Sequence, residues 1–289
     1  MGFSPFSPDY SKPGHGRIVD DSVYPPFIRF WKRYGRNFLK LIQLNMVYAL
    51  VTMPIYVWFT SLINAASTQA DGGVMTILGS VLLSLVIDLP AAPLVILVVI
   101  SILLMGPATA AMSFCALDCA WDRPGLFWAS FREAWKENWK QALPFGITDT
   151  LVCFVTLYYL VDGTAEFGKG LVIAWMVLAL LYAMVRVYIY PIMVTVELSL
   201  GALIKNSLIL VLLEPWRPLL VVAIALVLAL LSVAVDVVLV PYFLYSFVAF
   251  TAAFVTEPII KKHLLKPDDN RGEATAELTI NTFLGGKPI

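Results

Sequence analysis

The stretch FWKRYGRNFLKLIQLN, residues 30–45, sets aromatic and basic residues side by side and runs straight into an apolar segment. At helical spacing, Phe27, Phe30, Trp31, Tyr34, Phe38 and Leu41 share one face, and Arg29, Lys32, Arg33, Arg36 and Lys40 share the other. That division predicts an amphipathic helix lying in a headgroup layer, with rings at the apolar boundary. Its bases then reach water or anionic phosphates, each contributing about 1 kcal/mol near a charged leaflet. The expected partner of this surface is a lipid bilayer with anionic headgroups, and no nucleic acid is expected.

Composition carries the same message across the chain. Of 289 residues 60% are hydrophobic and 14% charged, with a mean hydropathy of +0.81, whereas a soluble domain carries about 25% charge. The apolar residues fall in runs of roughly 17 to 25, the length an α-helix needs to cross ~30 Å of hydrocarbon. The expected fold class is therefore all-α integral membrane. Three cysteines, Cys115, Cys119 and Cys153, offer no paired framework, and two histidines in polar segments offer no zinc-type cluster. About 38 mostly polar residues precede the first apolar run, so the first span reads as an uncleaved anchor.

Six transmembrane helices are expected, at residues 39–62, 94–117, 143–161, 171–195, 219–235 and 237–255. The segment at 74–87 is apolar but short, and it ends at Asp88 and the PAAP of residues 90–93. Of 20 Lys and Arg, all but Lys169 and Arg186 cluster at the N-terminus, after the second run, around Lys205 and Arg217, or in the tail. The positive-inside rule then puts both termini and both large connections on the cytoplasmic side of the membrane. This makes 74–87 an outward interfacial or re-entrant helix. The expected divisions are a cytoplasmic tail at 1–26, a membrane domain at 27–262 and a flexible cytoplasmic tail at 263–289. The membrane domain holds an extracytoplasmic insertion at 61–93 and a cytoplasmic connection at 118–142.

The opening motif has an echo in FREAWKENWKQALP, residues 131–144. Aligned, Phe30, Tyr34, Asn37 and Phe38 correspond to Phe131, Trp135, Asn138 and Trp139. A third stretch, LIKNSLILVLLEPWRP, keeps the Asn as Asn206 but not the aromatics. Three hairpin repeats, each an interfacial helix followed by two spans, would tile the chain. Each outgoing span carries a proline near one end, Pro107, Pro191 and Pro241, expected to break the helix. The two asparagines are expected to cap backbone groups where the interfacial helix meets the span.

These prefaces, together with GPATAAM at 106–112 and IKNSLILVL at 204–212, resemble the YesL-like bacterial membrane proteins, a family of unknown molecular function. The resemblance spans roughly residues 27–262, and the segment 61–93 looks like an insertion beside it. It implies association with carbohydrate-uptake systems of Gram-positive bacteria, near ABC importer permease subunits or a sensor kinase. It carries over no catalytic residue.

Two charges lie within spans: Asp149 in the third and Arg186 in the fourth. An isolated charge there costs at least about 2.5 to 3.5 kcal/mol on insertion scales, so each needs a partner or a wet cavity. The two spans form an antiparallel hairpin, so Asp149 and Arg186 are expected to pair, with Tyr182, Tyr188 and Tyr190 close by. Such a pair either fixes hairpin register or forms a substrate or proton site. No P-loop, HExxH, GxSxG or Gly-rich nucleotide fingerprint occurs, so neither catalytic residues, metal nor cofactor is expected. The expected function is a non-enzymatic accessory of a sugar-uptake system, with a small-solute carrier acting on its own as the alternative.

Overall fold

A computed structural model describes residues 24–68, 92–123, 127–161, 168–234 and 240–263. Among them are eight helices and no strand: α1 (Pro26–Arg36), α2 (Phe38–Thr68), α3 (Ala92–Ala120), α4 (Phe127–Val161), α5 (Gly168–Met193), α6 (Leu200–Leu213), α7 (Trp216–Ala234) and α8 (Val240–His263). The segment 74–87 and most of the two expected tails lie outside the described residues, as does much of the expected insertion.

Four helices are long and apolar enough to cross a membrane: Phe38–Ile55, Ile96–Ala120, Phe127–Leu160 and Gly168–Met193. A fifth is present if Leu200–Leu213 and Trp216–Leu231, bent by 96° at their junction, count as one span. The stretch Leu244–Ile260 of α8 is apolar but short of that length. Among the described residues the architecture is that of a multi-pass membrane protein with four or five candidate spans, where six were expected.

The three prefaces meet their spans in three different ways. α1 ends at Asn37 and α2 starts at the next residue, so the first junction is a break. The second preface has no break: α4 runs 35 residues from Phe127 to Val161. At ~1.5 Å per residue that is roughly 50 Å, longer than the hydrocarbon layer, and its amphipathic first half projects beyond it. Residues 118–142 are therefore mostly helix, shared between the end of α3 and the start of α4. α6 is the third preface, capped by Ser199, whose side chain accepts from the Ala202 N–H, and it turns sharply into α7.

The prolines correct another expectation. Pro107 lies inside α3 and Pro191 inside α5, and Pro241 is the second residue of α8. Pro107 and Pro191 do not break their helices, whereas Pro241 stands in the first turn of α8, where a proline is compatible with a helix start. In an apolar medium one lost ladder bond costs less than unwinding a turn, which would strand several more backbone groups without water.

The α3–α4 crossing dominates the packing. A Cβ on Gly106 would sit 2.1 Å from the Ala142 carbonyl oxygen, and one on Gly146 would sit 2.3 Å from the Gly106 nitrogen. The flanking Ala108, Ala110, Ala111 and Ala142 are fully buried. Small residues that let helix backbones touch are the means of association where lipid is as apolar as leucine. One core gathers α2, α3, the start of α4 and α8, through Leu41, Leu44, Tyr48, Cys115, Phe131 and Phe250. A second gathers α4, α5, α6 and the end of α8, through Phe145, Tyr188, Ile192, Leu203, Leu210 and Ile260.

Because backbone atoms cannot rotate away, Gly106→Ala and Gly146→Ala should each lower stability by about 3 kcal/mol. Gly201→Ala, with nothing within 4 Å of the added methyl, should be neutral or stabilising by up to about 1 kcal/mol. Thermal unfolding of the detergent-solubilised variants measures all three. Equal melting temperatures for Gly106→Ala and Gly201→Ala would contradict the crossing.

Candidate functional site

Asp149 sits three residues after Gly146 on α4, turned toward α5, with a side chain only 4% exposed. Facing it on α5 are Tyr182, Arg186 and Tyr190, a stripe at i, i+4 and i+8. The Tyr182 hydroxyl donates to Oδ1 at 2.6 Å and the Tyr190 hydroxyl donates to Oδ2 at 2.7 Å. Arg186 Nε lies 2.8 Å from Oδ1, and its guanidinium carbon is 5.3 Å from the Tyr190 ring centroid. One carboxylate thus receives three donors from a single helix face, two of them from neutral groups that add no charge to the membrane interior.

Tyr48 of α2 and Thr109 of α3 continue the network, and neither was singled out in the sequence. The Tyr48 hydroxyl lies 3.1 Å from Thr109 Oγ1, and Thr109 Oγ1 donates to the Met105 carbonyl at 2.7 Å. The one hydroxyl proton of Thr109 goes to that carbonyl, so Tyr48 is the donor between them. The lone pairs of the Tyr48 oxygen remain beside the Arg186 guanidinium. The Arg186 side chain is 37% exposed, in contrast to the carboxylate it pairs with. Tyr188, grouped with the others by sequence, is fully buried on another side of α5, its hydroxyl unpartnered among the described residues.

The interfacial motif divides its face differently from the expectation. Phe30 packs edge-on against Phe247, Phe250 and Phe254 of α8 at 5.8, 5.1 and 5.3 Å. Tyr34 contacts Phe247 and Phe250, while Phe27, Trp31 and Phe38 are exposed. Three of the bases expected outward are turned to the protein, Arg29 among them with its guanidinium against the Phe254 ring. Arg33 pairs with Glu257 at 2.9 Å and also donates to the Ala120 carbonyl, and Arg36 pairs with Asp122 at 2.6 Å. The last backbone carbonyls of α3 need donors, and a helix docking across that end supplies them.

Asn37 serves the same end: its Nδ2 donates to the Arg33 carbonyl at 3.1 Å and to the Cys119 carbonyl at 3.2 Å. Asn138 does not sit at a junction. It lies in the middle of α4 and donates to the Ala134 carbonyl four residues back, at 3.0 Å. Around it Phe131 is buried, Trp135 half-buried and Trp139 exposed, while Arg132, Lys136 and Lys140 face outward as the helical period requires. Asn206 is buried on α6 between Leu203 and Leu210. Asn45, within the opening stretch but not singled out, accepts the Ser246 backbone N–H at 2.7 Å and ties α2 to α8. Among the described residues no cluster of His, Cys, Asp and Glu is arranged to hold a metal ion.

Asp149→Leu leaves Arg186 without its counter-charge and should destabilise by about 3–5 kcal/mol, whereas Asp149→Leu combined with Arg186→Leu should recover much of that loss. Tyr182→Phe and Tyr190→Phe should each remove about 1–2 kcal/mol. A double-mutant cycle followed by circular dichroism during denaturation in mixed micelles reads the coupling. Additive single-variant effects would show that the pair does not act as a unit.

A family model described as a protein of unknown function, DUF624, matches residues 74–160. The match covers less than a third of the 289 residues. It takes in all of α3 and α4 except the last residue of α4, and so includes the glycine crossing and Asp149 but not Arg186. It begins inside the stretch expected to be an insertion, so the latter part of that stretch belongs to the matched region. No curated protein and no solved structure matches the chain.

Proposed function

We propose that this protein is a non-enzymatic accessory of a carbohydrate-uptake system in a bacterial plasma membrane. It sits beside the permease subunits of an ABC importer or couples them to a sensor kinase. The observation that carries the accessory reading is the saturation of Asp149. Its carboxylate is held by Tyr182, Arg186 and Tyr190 of the same chain, an arrangement suited to fixing a shape rather than to binding and releasing a solute. The carbohydrate part rests on the YesL-like resemblance, which the similarity of residues 74–160 to a family of unknown function supports at a coarser level.

The proposed topology has six spans with both termini inside, α7 and α8 forming the third hairpin. It is supported by the way basic segments meet at one end of the bundle: Arg33 of α1 reaches Ala120 and Glu257, and Arg217 of α7 donates to the Val255 carbonyl at 3.1 Å. The alternative, a carrier acting by itself, draws on one observation, the part-exposed Arg186 side chain within the membrane.

Purified protein reconstituted alone should show no saturable uptake of labelled mono- or oligosaccharides into proteoliposomes, and affinity purification from the native host should bring down permease or kinase subunits. Saturable uptake without any partner would overturn the accessory reading in favour of the carrier.

A further inference from the structure

At the end of the bundle where α1 docks, a cleft of about 620 Å³ opens between the starts of α1 and α7 and the last turns of α8. Arg29, Trp216, Arg217, Leu220, Phe254 and Glu257 line it. Charges around the cleft are nearly but not fully matched. Glu257 is paired with Arg33 at 2.9 Å. Arg217 Nε lies 2.6 Å from Glu214, and its Nη1 donates to the Val255 carbonyl. Arg29 has no carboxylate partner among the described residues. Its guanidinium carbon lies 5.6 Å from the Phe254 ring centroid, and its Nε is buried without a hydrogen-bond partner. Among the described residues three arginines face two carboxylates, and the one left without a carboxylate is Arg29.

The other wall is apolar and open. Trp216 is 79% exposed and Leu220 51%, and Val227 and Leu231 continue the same exposed stripe along α7. A ligand matching both walls needs one anionic group at the basic end and a long apolar part running down the helix.

We propose that this cleft binds one anionic phospholipid, its headgroup phosphate between Arg29 and Arg217 and an acyl chain along Trp216, Leu220, Val227 and Leu231. A guanidinium presents planar donors that match phosphate oxygens, and the single charge of a phosphodiester suits the one arginine left without a carboxylate. A free phosphate satisfies Arg29 but leaves the stripe uncovered, and a zwitterionic lipid brings a cation that Arg29 repels. The inference rests on the membrane location of α7, not on the accessory role, and stands or falls separately from it.

The full chain is reconstituted in phosphatidylcholine nanodiscs containing phosphatidylglycerol, and native mass spectrometry counts the lipids retained after release into detergent. One phosphatidylglycerol should remain per chain in preference to phosphatidylcholine, and inorganic phosphate should not displace it. Arg29→Gln should reduce retention by about tenfold. Lys32→Gln should not, since Lys32 lies on the same helix but sits over the Tyr24 ring at 3.2 Å. Leu220→Trp, which narrows the cleft without touching a charge, should also reduce retention and decides the matter if Arg29→Gln fails to fold. Equal retention of both lipids, displacement by phosphate, or wild-type retention in Arg29→Gln or in Leu220→Trp would overturn the proposal.

Discussion

The backbones of α3 and α4 touch where Gly106 meets Ala142 and Gly146, and the helical period carries that contact to the rest of the bundle. Three residues beyond Gly106, Thr109 is placed to take the Tyr48 hydroxyl from α2. Three residues beyond Gly146, Asp149 faces the Tyr182, Arg186 and Tyr190 stripe of α5. The two polar groups that join α3 and α4 to their outer neighbours are thus set by one close approach. Any side chain at either glycine would push the helices apart and draw both networks out of register.

Within hydrocarbon a polar group without a protein partner is costly, and the network around Asp149 supplies its protons with acceptors. Both tyrosine hydroxyls of the α5 stripe end on Asp149, Tyr48 ends on Thr109, and Thr109 ends on the Met105 carbonyl. At the bundle end the same requirement governs α1. Asn37 and Arg33 give their donors to the last carbonyls of α3 at Cys119 and Ala120, and Arg33 also neutralises Glu257 of α8. The amphipathic helix is a clasp across α3 and α8.

Helical class and the pairing of Asp149 with Arg186 were legible because both follow from the cost of polarity in lipid. The 3.6 period of the second preface survives only in part in α4, where Phe131 and Ala142 are buried but Trp139 is exposed. What escaped was whatever depends on how helices join. Nothing in FREAWKENWKQALP distinguishes an interfacial helix that breaks before its span from one continuous with it, because Pro144 is tolerated inside α4. The inward turn of Arg33 and Arg36 also escaped, since a helical wheel assigns faces but cannot know that the end of α3 will supply acceptors there. The i, i+4, i+8 spacing of Tyr182, Arg186 and Tyr190 was a usable signal for the full clamp. Tyr48 and Thr109 carried none, being single polar residues on other helices.

The central claim is that Asp149 and Arg186 form a sealed lock rather than a wet binding site. Cys153, one turn beyond Asp149 on α4 and exposed, reports on that directly, while Cys115 and Cys119 are buried. With Cys115 and Cys119 replaced by alanine, intact cells are treated with a membrane-impermeant maleimide or a lipid-soluble one. The lock predicts that neither reagent modifies Cys153 in the folded protein, because a maleimide needs the thiolate and the thiolate needs water; modification by either would reveal a water path to the site and contradict the account.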